Sequence, residues 1–267
     1  MLESAAAAPD RGQPFQFYTL VSSSFIESAS DAYVDNLSVL FERDPHALGW
    51  IRERWGPEEA EHGAATRRLV ERTWPEFDWD GAYAHYSERV PRGSTAHLQP
   101  SPALEALSRC ATETYTAMMY RCMAGQARDG ALRETLESIS RDEVRHFGVF
   151  REIFRRHEAR ERNGTGRKVW TLLGRTERVR GDDFGDLFEI INSHWSSQPP
   201  FRPETFGQFR ARARPIVMEH FPLEAAERML FSPLGRNRAW EHLVRVVLEP
   251  FLTWRYLGSR RERADPA

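Results

Sequence analysis

Lysine is nearly missing from this chain. Of 37 basic residues in 267, only Lys168 is a lysine; the other 36 are arginines. Arginine stays charged and pairs bidentately with carboxylates, whereas lysine is a point charge. A ratio this lopsided reads first as a bias of the coding DNA and carries no function by itself. Cysteine is almost as scarce, with only Cys110 and Cys122. On one helix twelve residues span about 18 Å, too far for a bridge, so two reduced thiols and a cytoplasmic location are expected. No apolar run approaches the ~18 residues of a membrane-spanning helix. The opening MLESAAAAPDRGQ has no basic stretch leading into an apolar one, so no secretory signal is expected. A formal net charge of −2 gives no global pull toward nucleic acid or membrane. The Gly-x-Gly-x-x-Gly fingerprint of dinucleotide binding is absent, and so is any strand-period run bounded by turns.

What is present is helical patterning, which implies an all-α fold. After a loose tail over 1–13, residues 15–43 carry Leu20, Glu27, Val34 and Phe41 at seven-residue spacing with no Gly or Pro between. A second helix is expected over 45–74, kinked or restarted at Gly56-Pro57, because proline lacks an N–H and clashes with the preceding turn. Residues 75–101 show no period and read as a long connection. Ser101-Pro102 is a helix start, an N-cap hydroxyl before a proline, and opens a third helix over 102–128. Asp129-Gly130 turns the chain into a fourth over 131–160. After Asn163-Gly-Thr-Gly166, shorter helices are expected at 168–179, 183–194, 204–219, 223–232 and 236–258. Four long helices with a long crossover after the second form a bundle.

Two stripes that should be apolar carry ionisable groups. Glu143 and His146 sit between Ile139 and Phe150, and Glu27 sits between Leu20 and Val34. A buried carboxylate is costly unless it is paired or binds metal. Glu59 and His62 repeat the i, i+3 relation, which points both side chains to one face. About one Glu-x-x-His pair arises by chance in a chain of this composition, so the context matters more than the pairs. Each is preceded by an acid, Glu58 or Asp142, and followed by a glycine, Gly63 or Gly148. Glu27 lies 32 residues before Glu59, and Glu113 lies 30 before Glu143. The chain is thus a cryptic repeat of two hairpins, each offering Glu and then Glu-x-x-His. Asp31, Asp35 and Glu42 compete with Glu27 on its helix, and Glu105 competes with Glu113.

Over residues 15–160 this pattern resembles the ferritin-like di-iron carboxylate superfamily. WIRERWGPEEAEHG (50–63) and RDEVRH (141–146) resemble the second- and fourth-helix motifs of acyl-carrier-protein desaturases. The resemblance implies one ferritin-like domain over 1–267, with a di-metal four-helix bundle at 15–160 and appended helices at 161–267 packing on it. It implies metal ligands Glu27, Glu59, His62, Glu113, Glu143 and His146, holding two Fe ions, with Mn or a mixed Fe/Mn pair as alternatives. A ligating histidine hands its other N–H to a carboxylate; the pseudo-twofold assigns Asp142 to His62 and Glu58 to His146. Thr116, one turn after Glu113, stands where such enzymes keep a hydroxyl on the oxygen side, and Tyr120 is a candidate for proton transfer.

The implied activity is an oxidoreductase that activates O2 to desaturate or oxygenate a hydrophobic, acyl-type substrate, small or carrier-bound, with electrons from an external donor. An iron-oxidising protein of the ferritin or rubrerythrin type and a non-enzymatic metal-stabilised bundle are the alternatives. Residues 151–180 hold ten basic and four acidic side chains, suited to an anionic substrate head or acidic carrier. The apolar last helix offers a homodimer face; no nucleic acid and no integral membrane association is expected.

Overall fold

The computed structural model describes residues 11–235, apart from 91, 94, 181 and 196–199. Every regular element among them is helical. None of these helices is long and apolar enough to cross a membrane. The expected helix at 236–258 lies outside the described residues.

Helix α1 (Pro14–Ser28) opens with proline at its first turn and is buried on nearly every side, as befits a helix with aromatic and small residues all around it. The single helix expected over 15–43 is in fact two. Ala29 interrupts it at φ −90°, ψ 13°, and α2 (Ser30–Leu40) follows. No proline or glycine causes this break. The α4 backbone (Gly56–Thr73) passes close beside it, for a Cβ on Gly63 would come within 2.7 Å of Ser28 N and 3.0 Å of Glu27 C.

The expected kink at Gly56-Pro57 takes the form of a widened turn. α3 (Pro45–Trp50) runs through a π-helical turn (Ile51–Trp55) into α4 (Gly56–Thr73). The Gly56 N–H donates to Ile51 O, five residues back. Widening the turn lets the chain continue past a proline whose ring would otherwise strike the carbonyl four residues earlier. Asp44 caps α3, accepting from His46 N and Ala47 N.

The connection 75–101 is not wholly irregular: α5 (Trp79–Ser87) lies within it, capped by Asp78. Trp79, Ala82, Tyr83 and Tyr86 are spaced as one helical face, and Trp79 and Ala82 are buried. Gly81 and the shortness of the segment hide that pattern in the sequence. α6 (Pro102–Gln126) starts at the Ser101-Pro102 signal, and α7 (Gly130–Glu161) starts at Asp129, whose carboxylate accepts from Leu132 N. Cys110 and Cys122 are free and buried on α6.

α6 packs along α7 and α1 along α4, with α4 also meeting α7. α8 (Thr165–Arg180), α10 (Phe206–His220) and α11 (Leu223–Phe231) pack against α6, whereas α9 (Asp182–Ser193) packs against α5 and α1. The apolar core is divided in two. One cluster gathers Phe17, Phe25, Leu69, Tyr120 and Ile139; the other gathers Leu37, Trp55, Leu107, Phe147 and Phe150. The four main helical paths (α1–α2, α3–α4, α6 and α7) pass from one cluster to the other, so the interval between them is a layer that all four cross. That layer holds the acids and histidines.

Candidate metal centre

Glu27 stands in the last turn of α1, Glu59 and His62 in the first two turns of α4, Glu113 midway along α6, and Glu143 with His146 midway along α7. All six are buried, at 6%, 5%, 5%, 2%, 1% and 0% exposure respectively. One ligand atom from each of Glu27, Glu59, His62 and Glu143 lies within 4.8 Å of the others; the same holds for Glu59, Glu113, Glu143 and His146. Glu59 and Glu143 belong to both groups. The competing acids stand elsewhere. Asp31, Asp35 and Glu42 are exposed, Asp31 pairing with Arg92 at 2.7 Å. Glu105 is buried but taken up by Arg109 at 2.9 Å and Gln99 N at 2.8 Å.

Four carboxylates in a dry layer repel one another, and two imidazoles do not balance them. Burial, with Glu59 and Glu143 nearby, pushes Glu27 well above the usual carboxylate range; burial, with Glu143 and Glu59, does the same to Glu113. Burial would raise Glu143 too, but the rings of His146 and His62 against it hold it well below. Burial would lower both histidines; Glu143 and other carboxylates nearby raise them instead. With no cation the cluster must therefore keep protons, whereas bound cations reverse that logic.

The fit to an ion shows in the unpaired atoms. Glu59 Oε1, Glu143 Oε1, His62 Nδ1 and His146 Nδ1 are buried without hydrogen-bond partners. His62 Nδ1 and Glu143 Oε1 lie 3.0 Å apart, as do His146 Nδ1 and Glu59 Oε1, but without hydrogen-bonding alignment. Orphaned buried polar atoms cost about 1–3 kcal/mol each, and four converging in one layer call for a cation. Carboxylate oxygen and imidazole nitrogen suit divalent iron or manganese.

The outer nitrogens are occupied. His62 Nε2 is 3.3 Å from Asp142 Oδ2, and His146 Nε2 is 2.9 Å from Glu58 Oε2. Arg145 joins the two acids, 2.5 Å from Asp142 and 2.9 Å from Glu58. Burial would raise both acids, but His146 and Arg145 keep Glu58 low, and Arg145 and His62 keep Asp142 low. With an ion bound, ionised acceptors on Nε2 would hold a proton there and leave each inward-facing Nδ1 lone pair for the ion.

Of the remaining sequence candidates, Tyr120 is buried and its hydroxyl donates to Glu27 Oε1 at 3.2 Å. Thr116 is half-buried and its Oγ1 donates to Thr112 O at 3.0 Å, within its own helix. Gly63 sits at a close helix crossing, but a Cβ on Gly148 would meet nothing within 4 Å, so the two glycines do not play one role. His157 and His194 sit on the capping acids Asp44 and Asp78, at 2.9 and 3.3 Å. Sequence reasoning missed Arg145, although its place three residues after Asp142 was the available signal. It also missed Trp50, whose ring lies edge-on 6.1 Å from His146.

Compared with protein-family models, curated proteins and solved structures, the chain gives no match.

Proposed function

We propose that this protein is a non-haem di-iron oxidoreductase on a ferritin-like bundle, oxidising a hydrophobic, acyl-type substrate by desaturation or oxygenation. The observation that carries the reading is the pair of overlapping buried groups, each with three carboxylates and one histidine, sharing Glu59 and Glu143. Two ions held there would supply O2 reduction, with electrons from an external donor. Glu27 with His62 would hold one ion, Glu113 with His146 the other, and Glu59 with Glu143 would reach both.

The chain's own part is to orient and to exclude water. Asp142, Arg145 and Glu58 fix the imidazoles from outside. The two apolar clusters close the layer from above and below, so that charge is handled at low dielectric. Thr116 and Tyr120 are the candidate hydroxyls for the oxygen side and for proton transfer, and Thr116 would first have to give up its bond to Thr112 O. Tyr120 is the better placed, since its hydroxyl already donates to Glu27 Oε1.

The test is anaerobic Fe(II) loading of the full chain, followed by metal analysis and O2 exposure with saturated acyl thioesters. About two Fe per chain and a product two hydrogens lighter, or one oxygen heavier, are expected. O2 uptake that turns over only added Fe(II), in a large hollow assembly, would instead make it an iron-handling protein. Iron content near zero would leave a bundle without the chemistry.

A further inference from the structure

The two metal positions proposed above share Glu59 and Glu143 and differ in their own ligands. The repeat that relates them maps Glu27 onto Glu113 and His62 onto His146. It does not extend to their surroundings. Tyr120 lies seven residues after Glu113, and the residue seven after Glu27 is Val34. The phenol donates across the bundle to Glu27 Oε1 at 3.2 Å, from a residue 1% exposed. Val34 has no donor to return, and its Cγ2 lies against Gly56.

The backbones differ in the same sense. Glu27 stands two residues before the break at Ala29, whereas Glu113 lies inside an unbroken 25-residue helix. A carboxylate beside a helix break is less fixed by its own backbone, and a hydroxyl holding one of its oxygens makes up for that. The outer bonds differ as well: His146 meets Glu58 at 2.9 Å, and His62 meets Asp142 at 3.3 Å.

We propose that Tyr120 is a positioning residue. It holds Glu27 by one carboxylate oxygen and leaves the other for an ion, so the Glu27–His62 position is unequal to the Glu113–His146 position and the two fill in separate steps. This rests on the metal-binding reading above. Removing such an outer hydrogen bond lowers metal affinity about 10–100-fold, and here the loss falls on one position only.

The test is an anaerobic titration of the metal-free full chain with Co(II), read by its visible bands and by calorimetry. Wild type binds in two resolved steps; His62→Ala deletes one and His146→Ala deletes the other. Tyr120→Phe keeps the ring and weakens the step that His62→Ala deletes by about 10–100-fold, leaving the other in place. Far-UV circular dichroism of the metal-free variant checks its fold. If Tyr120→Phe leaves both steps unmoved, or moves both alike, the proposal is overturned. Should that variant not fold, equal affinities for the single positions left in His62→Ala and His146→Ala overturn it equally. Wild type that takes up no Co(II) overturns the metal reading itself, a distinct result.

Discussion

The first hairpin of this protein is interrupted and the second is not. Between Pro14 and Thr73 the chain breaks at Ala29 and widens into a π turn at Ile51–Trp55, whereas α6 and α7 run unbroken for 25 and 32 residues. Both present Glu and Glu-x-x-His to the same layer. The difference teaches that ligand placement and helix regularity are separable. The second hairpin reaches its geometry by regular winding and extensive mutual packing. The first reaches it with two local irregularities, a break at Ala29 beside the close approach of Gly63 and a widened turn before Pro57, and with Glu27 tethered by Tyr120.

The sharpest way to break the comparison is to remove what both halves share. Glu143 belongs to both groups, so Glu143→Ala should abolish binding at both positions, not one. Metal analysis after anaerobic Fe(II) loading checks this, and unchanged content would show that the acids are structural. Gly63→Ala comes next. Its Cβ would meet Ser28 N at 2.7 Å and Glu27 C at 3.0 Å, and backbone cannot rotate away. We expect about 1–3 kcal/mol of lost stability, measured by denaturant unfolding. Gly148→Ala, two residues after His146 where Gly63 is one after His62, meets nothing and should gain up to about 1 kcal/mol from helix propensity. Equal effects at both glycines would mean that the close approach at Gly63 carries no cost.

These contrasts also mark what was legible in the sequence. The helices that carry the acids could be read because their apolar period continues on both sides of Glu27 and Glu143. The gathering of six residues could be read from the repeat spacing. The break at Ala29 could not, because no glycine or proline is there to signal it, and the close approach of Gly63 beside it comes from another helix. α5 was hidden by Gly81 within nine residues. Tyr120 could be named but not given a partner, since its bond to Glu27 spans 93 residues and depends on how the hairpins face each other. Arg145 lay inside a recognised motif, yet its work is to bridge Glu58 from the other hairpin. What escapes sequence reasoning here is contact between helices distant in the chain, within the first hairpin at Gly63 and between hairpins at Tyr120 and Arg145.

Smaller effects sharpen the comparison between the two histidines. Glu58→Gln and Asp142→Asn keep shape and remove charge from the outer partner of His146 and of His62. Each should lower metal affinity about 10–100-fold, and each at a different position. The shorter 2.9 Å bond puts the larger loss at Glu58. Isothermal titration with Co(II) checks the order; a reversed order would mean that Arg145, which contacts both acids, dominates over the individual bonds.

The smallest effect lies where the two hairpins are pinned together away from the site. Asp44 caps α3 and also reaches α7, with His157 Nε2 at 2.9 Å and Arg156 at 3.3 Å. Burial would raise its carboxyl, but the Ala47 N–H, His157 and Arg156 hold it below the usual range. A group depressed in the folded state adds stability above its unfolded value, and that stability is lost as pH falls through the folded value. Asp44→Asn keeps an N-cap acceptor and removes the charge, so it isolates the ionic part. The partners are partly solvated, so the loss should be only about 0.5 kcal/mol near neutral pH. It should shrink toward nothing as the medium is acidified below about pH 4. Urea unfolding of wild type and variant between pH 3 and 7 measures the gap. A gap that does not change at all between pH 7 and pH 3 would mean that the charge of Asp44 contributes nothing, and that the two hairpins are joined there by packing and neutral hydrogen bonds.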